Sequence, residues 1–124
     1  MNFQLESSDW KSLVGVTREV RNPVFDFPVK RIVKRDGRVV RYDRNRIEQA
    51  IVKAINAVGS SAGAAELTDR VETALRDFVK DRHPNSVPAV EEIQDLVENT
   101  LVESGDTPLA RAYILYRSRR EALR

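Results

Sequence analysis

Asp36-Gly37 is the pair of residues that most restricts how this chain can fold. It stands between two short runs in which apolar and basic side chains mix, Val29 to Lys34 and Arg38 to Tyr42. Asp tolerates positive φ and Gly favours it, so the pair predicts a hairpin with its turn at the tip. Directly afterwards the pattern changes period. Asp43 or Asn45 starts a helix in which Ile47, Ala50, Ile51, Ala54, Ile55 and Val58 recur at the three- and four-residue spacing of one buried stripe. Gly59, Ser60, Ser61 and Gly63 stop it.

Three more helical patterns follow. The first runs from about Ala65 to Arg82 with Leu67, Val71, Leu75, Phe78 and Val79 inward, and His83-Pro84-Asn85 breaks it. Val87 and Pro88 form a short extended link. The next helix, about Ala89 to Glu103, buries Val90, Ile93, Leu96, Val97 and Leu101, and Ser104-Gly105-Asp106 ends it. Thr107 with Pro108 reads as an N-cap and first-turn pair for a last helix carrying Leu109, Ala112, Tyr113 and Tyr116. The fold class is therefore mainly α (α+β): a four-helix bundle capped by a small β-hairpin or sheet. Residues 29–121 form this domain. Residues 1–28 have no sustained period and read as an N-terminal arm or linker. Trp10, Leu13 and Val14 suit one short helical turn, and Trp10, Phe25 and Phe27 are apolar anchors if the arm docks on a partner.

Charge is distributed very unevenly. Between Val29 and Arg46 stand eight basic residues against Asp36 and Asp43, in a chain of net charge +2. From Ala64 to Asp106 the balance reverses, with eleven acidic and four basic residues. Positive charge is thus concentrated in the hairpin, the start of the first helix and the C-terminus. No apolar run reaches the roughly 20 residues of a membrane helix, so a membrane partner is not expected. The absence of cysteine removes disulfides, thiolate zinc sites and cysteine radical chemistry, and a cytoplasmic location is expected.

Catalytic patterns are missing. No GxxxxGK[ST] loop and no GxGxxG after a strand occurs. The single histidine, His83, reads as a residue at a helix C-terminus. Ser60 and Ser61 read as loop. Glu91 and Glu92 are adjacent, so they point to different sides of a helix, and their charge suits its N-terminus. What remains is anion binding. Lys34 and Arg35 flank the hairpin turn, and Arg46 lies in the first helical turn, where free N–H groups also favour anions. Arg117, Arg119 and Arg120 can return to the same end of a bundle. Together they suit a triphosphate. A solvated basic face fits the charges equally, and a nucleic-acid surface on the basic hairpin fits less well, because interleaved exposed aromatics are lacking.

Three stretches carry a family resemblance. Val33-Lys34-Arg35-Asp36-Gly37-Arg38-Val39-Val40 is followed by Tyr42-Asp43 and by Arg46-Ile47 through Ala50-Ile51. The second stretch is Val90-Glu91-Glu92-Ile93-Gln94-Asp95-Leu96-Val97-Glu98, and the third is Ala110-Arg111-Ala112-Tyr113-Ile114-Leu115-Tyr116-Arg117. In this order and spacing, from about Val29 to Arg120, the chain resembles the ATP-cone, the allosteric nucleotide-binding domain of ribonucleotide reductases, also found in a bacterial repressor of reductase genes.

The resemblance implies a four-helix bundle capped by a small sheet, binding ATP or dATP, usually with Mg2+. It implies that ATP favours an active reductase assembly and dATP an inactive oligomer. By position, Lys34, Arg35 and Arg46 would contact phosphates, and Ile32 and Val33 would line the site. Asp43 and Val40 would lie by the adenine, Val40 standing where some relatives have a Glu. Gln94 stands where some relatives have a sugar-contacting His, and Arg119 stands near a position that supplies a phosphate-binding Lys. Arg117 completes the expected nucleotide-binding set. The repressor's zinc ribbon and the reductase's catalytic barrel both need cysteines, so the resemblance implies a regulatory module rather than an enzyme. Its expected partners are adenine nucleotides, the catalytic or radical-generating chain of a reductase, and further copies of itself in a ligand-dependent oligomer. The module is either free-standing or the N-terminal part of a longer chain.

Overall fold

The turn at Gly37 sets the geometry of the first element. Lys34 N donates to Arg38 O at 2.8 Å and Gly37 N donates to Lys34 O at 2.9 Å, with Gly37 at φ 87°. The hairpin is therefore closed by the three residues Arg35, Asp36 and Gly37, with glycine in the left-handed position that would strain any other residue. Asp36 adds a local clamp: its carboxylate accepts from Arg38 N at 3.0 Å and Arg38 Nε at 2.8 Å. Those bonds, the backbone one foremost, hold its carboxyl below the usual aspartate range.

These features come from a computed structural model that describes residues 27–123. Trp10 and Phe25, the other expected anchors of the arm, lie outside the described residues. Phe27 is half-buried. It stacks on Tyr42, with centroids 5.2 Å apart, beneath the Arg76 guanidinium. Val29 is buried in the core.

Strand β1 (Arg31–Val33) pairs antiparallel with β2 (Val39–Arg41), in the register Arg31 to Arg41, Ile32 to Val40 and Val33 to Val39. Tyr42 N to Lys30 O, at 2.9 Å, extends the ladder. On its other edge β1 meets the expected extended link. Val33 N donates to Pro88 O at 3.0 Å, and Val33 bridges Ala89 in parallel. The link thus ties the hairpin to the start of the third helix.

Four helices follow: α1 (Arg44–Val58), α2 (Ala64–Val79), α3 (Val90–Glu103) and α4 (Thr107–Ala122). Each packs on its two neighbours, α1 on α2 and α4, and α3 on α2 and α4. Asp43 caps α1 by accepting from Asn45 N, and Gly59 ends it at φ 68°. The core is built from the predicted stripes, with Ile51, Val71, Leu75, Leu101 and Leu109 fully buried.

Several expectations are corrected. The cap of α4 is Asp106, not Thr107. Its carboxylate reaches Leu109 N at 3.2 Å, and Thr107 already lies inside the helix. Ser60, in the loop after α1, donates to the same carboxylate at 2.7 Å, so that loop is pinned to α4. Helix α2 stops at Val79, so His83 lies beyond it in an exposed turn, where Nδ1 accepts from Asn85 N. Val58 ends α1 on the surface. Thr68 and Thr100 join the core although they are polar. Each hydroxyl donates to the carbonyl four residues back, Ala64 O at 2.7 Å and Leu96 O at 2.8 Å, so burial leaves no donor unpaired.

Glu92 closes the far end of the α2–α3 connection. It accepts from Ala89 N at 2.9 Å and from both Arg82 nitrogens at 3.3 and 2.7 Å. Ala89 has no side-chain oxygen to reciprocate, so only the glutamate half of a capping box exists. The Arg82 bonds, followed by the Ala89 amide, hold the Glu92 carboxyl below its ordinary value of 4.5 against the opposing effect of burial. Its contribution to stability is therefore complete above that value and disappears as pH falls through the lower folded-state value. Glu92→Gln should cost about 1 kcal/mol at neutral pH. Thermal melts of wild type and variant should converge on acidification, whereas a gap that persists in acid would assign the loss to packing. Leu75→Ala, at a fully buried position, should cost about 3 kcal/mol in denaturant titration.

Candidate nucleotide site

The period-two alternation of a strand sends one face of the hairpin toward the bundle. Ile32 and Val40, opposed across the ladder, lie on that face with Lys34, Arg38 and Tyr42 in phase. Between them and the ends of α1, α3 and α4 is a cleft of about 680 Å3. Its floor is apolar: Ile47 and Ala50 from α1, Val90, Ile93 and Val97 from α3, and Tyr113 from α4. Burial drives the Tyr113 hydroxyl well above its ordinary pKa, so the ring serves the floor as a neutral surface. The rim is cationic. Among the described residues, Lys34, Arg35, Arg38, Arg41, Arg46, Arg117 and Arg120 line it with a single carboxylate, Asp43. Asp43 accepts from the Asn45 amide.

The cations differ in freedom. Among the described residues, the side chains of Lys34, Arg41 and Arg46 make no hydrogen bond or salt bridge. Arg120 lies along Tyr116, donating to its hydroxyl at 3.2 Å. Arg117 is well buried and tied to α3 through Asp95 at 2.9 Å and Glu98 at 2.7 Å. Burial works against its charge, but the hydrogen bonds to Asp95 and Glu98 outweigh it and raise its pKa further. Arg35 reaches across the cleft to Glu91 at 2.8 Å, Gln94 at 3.3 Å and Glu121 at 2.9 Å. The hairpin is held in place from behind by a separate cluster. Tyr42 donates to Glu72 at 2.6 Å, and Arg44 grips Glu72 and Asp69, both at 2.8 Å. Burial, then the bond to Glu72, pushes the Tyr42 hydroxyl pKa far up, so this donor is permanent.

Of the residues singled out from sequence, Ile32, Lys34, Arg35, Val40, Asp43, Arg46, Gln94 and Arg117 line this one cleft. Val33 does not, because it is one residue out of phase with Ile32 and turns to the opposite face. Arg119 lines a different groove, between α1 and α4, with Lys53 and Arg111. Arg120 takes the place in the cleft expected of Arg119. The sequence reading also missed Glu91 and Glu121. The pairing of Glu121 with Arg117, at 3.3 Å, was open to detection from its four-residue spacing. The pairing of Glu91 with Arg35 had no local signal.

The free and the tied cations should respond oppositely to removal. Lys34→Ala and Arg46→Ala should leave the melting temperature unchanged or slightly higher, since each relieves like-charge crowding. Arg117→Ala should cost about 2 kcal/mol by leaving Asp95 and Glu98 uncompensated.

The ATP cone domain family matches residues 30–122. The chain is similar to the vitamin B12-dependent ribonucleoside-diphosphate reductase of Thermoplasma acidophilum, with 44% identity over 103 residues, 77% of this chain and 12% of that protein. It is 37% identical over 101 residues to the ribonucleoside-diphosphate reductase subunit alpha of Chlamydia trachomatis, covering 75% of this chain and 10% of that subunit. It is also 34% identical over 93 residues to the anaerobic ribonucleoside-triphosphate reductase of Salmonella typhimurium, covering 75% and 12%. The chain spans only about a tenth of the length of these relatives, so what it shares with them is one module, a regulatory nucleotide-binding part rather than a catalytic one. The family match runs from the start of the hairpin to the end of α4, across the whole fold described above, and the chain belongs to the ATP-cone domain family.

Proposed function

We propose that this cleft binds ATP and dATP as allosteric effectors, and that their exchange controls the activity and assembly of a ribonucleotide reductase. The observation that carries the reading is the junction of an apolar floor with a cationic mouth in one cleft. Its volume falls in the range of about 300–1,000 Å3 usual for small-ligand sites. A nucleotide has the matching form, a flat base and a polyanionic tail. The base would lie on Val40, Ile47 and Ile93, and the phosphates would meet Lys34, Arg35, Arg46, Arg117 and Arg120.

Among the described residues, Gln94 is the only side-chain amide in the lining, and it accepts a hydrogen bond from Arg35. A contact from Gln94 to the sugar would thus be linked to the phosphate-binding end. ATP and dATP differ by one 2′-hydroxyl, and an effector moves an equilibrium only by its difference in affinity between the two states. Mg2+ would arrive on the phosphates. The one carboxylate of the lining is engaged as a helix cap, and a site built mainly from phosphate oxygens and water suits this ion. The partner would be the catalytic or radical-generating chain of a reductase, in the cytoplasm, with self-association that depends on the ligand.

Calorimetric titration with ATP, dATP and GTP in magnesium buffer tests this reading. Saturable binding of the adenine nucleotides but not GTP is expected. Lys34→Ala should weaken it about tenfold, and size analysis should change between ATP and dATP. Absence of binding by any nucleotide would sink the proposal. Steeply salt-dependent binding of mixed-sequence DNA that Lys34→Ala abolishes, with nucleotide affinity untouched, would replace it with a nucleic-acid role.

A further inference from the structure

Among the described residues, Glu121 is the one carboxylate that touches two arginines of the cleft. It lies 2.9 Å from Arg35 on the hairpin and 3.3 Å from Arg117 on α4. One anionic group bridging two guanidinium groups is the arrangement a phosphate would make with the same pair. The carboxylate is also easily moved. Its side chain is 43% exposed, against 27% for Arg35 and 14% for Arg117, so it can return to water while the arginines stay in place. Arg35 remains held by Glu91 and Gln94 of α3, and Arg117 by Asp95 and Glu98. Glu121 itself stands in the last turn of α4, where the helix dipole disfavours an acid. Its position is therefore maintained by the two arginines rather than by the helix.

We propose that Glu121 is a built-in competitor for the phosphate position, and that an anionic ligand displaces it and so frees the last turn of α4 from the hairpin. The inference rests on the reading of the cleft as a nucleotide site. It adds an output: occupancy of the cleft becomes a change at the C-terminal end of α4, where the only tie to the hairpin tip among the described contacts is the bond from Arg35 to Glu121. It also predicts a preference for charge, because a ligand must outcompete a carboxylate that is already in place.

The test is calorimetric titration of ATP into wild type and Glu121→Gln, with amide hydrogen exchange over residues 118–123. Glu121→Gln keeps the size of the side chain and removes its charge. It should bind ATP about three- to tenfold tighter, the range expected when a partly exposed ion pair no longer competes. In wild type, exchange in the last turn of α4 should speed up on adding ATP. In the variant it should be fast already without ligand. Unchanged or weaker binding by the variant, with ATP still bound by wild type, would overturn the competitor role. Tighter binding without ligand-dependent exchange in wild type would overturn the release of α4. If neither protein binds ATP, the fault lies with the nucleotide reading of the cleft. Circular dichroism melts of the two proteins, expected to agree within a few degrees, check that the variant is folded.

Discussion

The register of the hairpin is the constraint on which the site depends. Ile32 opposes Val40 because Lys34 and Arg38 close the turn around a glycine at φ 87°. A slip of one residue would turn Ile32, Lys34 and Val40 away from the bundle and bring Arg31, Val33 and Val39 in. The floor would keep its helical half, but the cleft would lose its roof and its free lysine. The Asp36 clamp on Arg38 and the Val33 bridge to Ala89 guard the same register at the turn end of the strand, and the bond from Tyr42 N to Lys30 O guards it at the other end. Three residues of turn chemistry therefore decide which side chains can meet a ligand.

Charge in this domain is organised in two layers. The outer layer, Lys34, Arg41 and Arg46, has no protein partner among the described side chains and gives the cleft its attraction for anions. The inner layer, Arg35 and Arg117, is neutralised by carboxylates of α3 and α4. Three of the eleven acidic residues between Ala64 and Asp106, namely Glu91, Asp95 and Glu98, serve these two arginines. These carboxylates orient the half-buried arginines, since an unpaired arginine at such a position would be costly. A site built in this way has its cations pre-positioned before any ligand arrives. The hairpin, meanwhile, is fixed to α2 through Glu72, which holds Tyr42 at the end of the hairpin and Arg44 at the start of α1.

Membership of the ATP-cone family gives these features a common purpose. The relatives that share the module are reductases many times its length. A regulatory module of this kind needs a ligand site whose occupancy alters something that can be felt elsewhere. The cleft joins the hairpin to three helices, and its paired arginines connect α3, α4 and the hairpin through single side chains. Under the proposed reading, a ligand there would redistribute ion pairs among elements rather than fill a passive hole.

Whatever depends on neighbours in the chain was legible beforehand. The turn at Asp36-Gly37, the helical stripes, the stop at Gly59 and the concentration of cations around the hairpin and α1 are set by backbone sterics and by the periods of helix and strand. Eight of the residues named from the sequence line one cleft. The differences have separate physical origins. Val33 and Arg119 lie outside that cleft, because a shift of one residue on a strand or helix redirects a side chain by a large angle. Thr68 and Thr100 are buried because their hydroxyls satisfy themselves within the helix, which composition does not reveal. The cap of α4 passed from Thr107 to Asp106 because the carboxylate reaches the right amide. Most of all, the pairing of Arg35 with Glu91 and Glu121 arises only in three dimensions. Electrostatic attraction acts through space over a few ångströms, and spacing along the chain carries no record of which distant carboxylate the bundle will bring within reach.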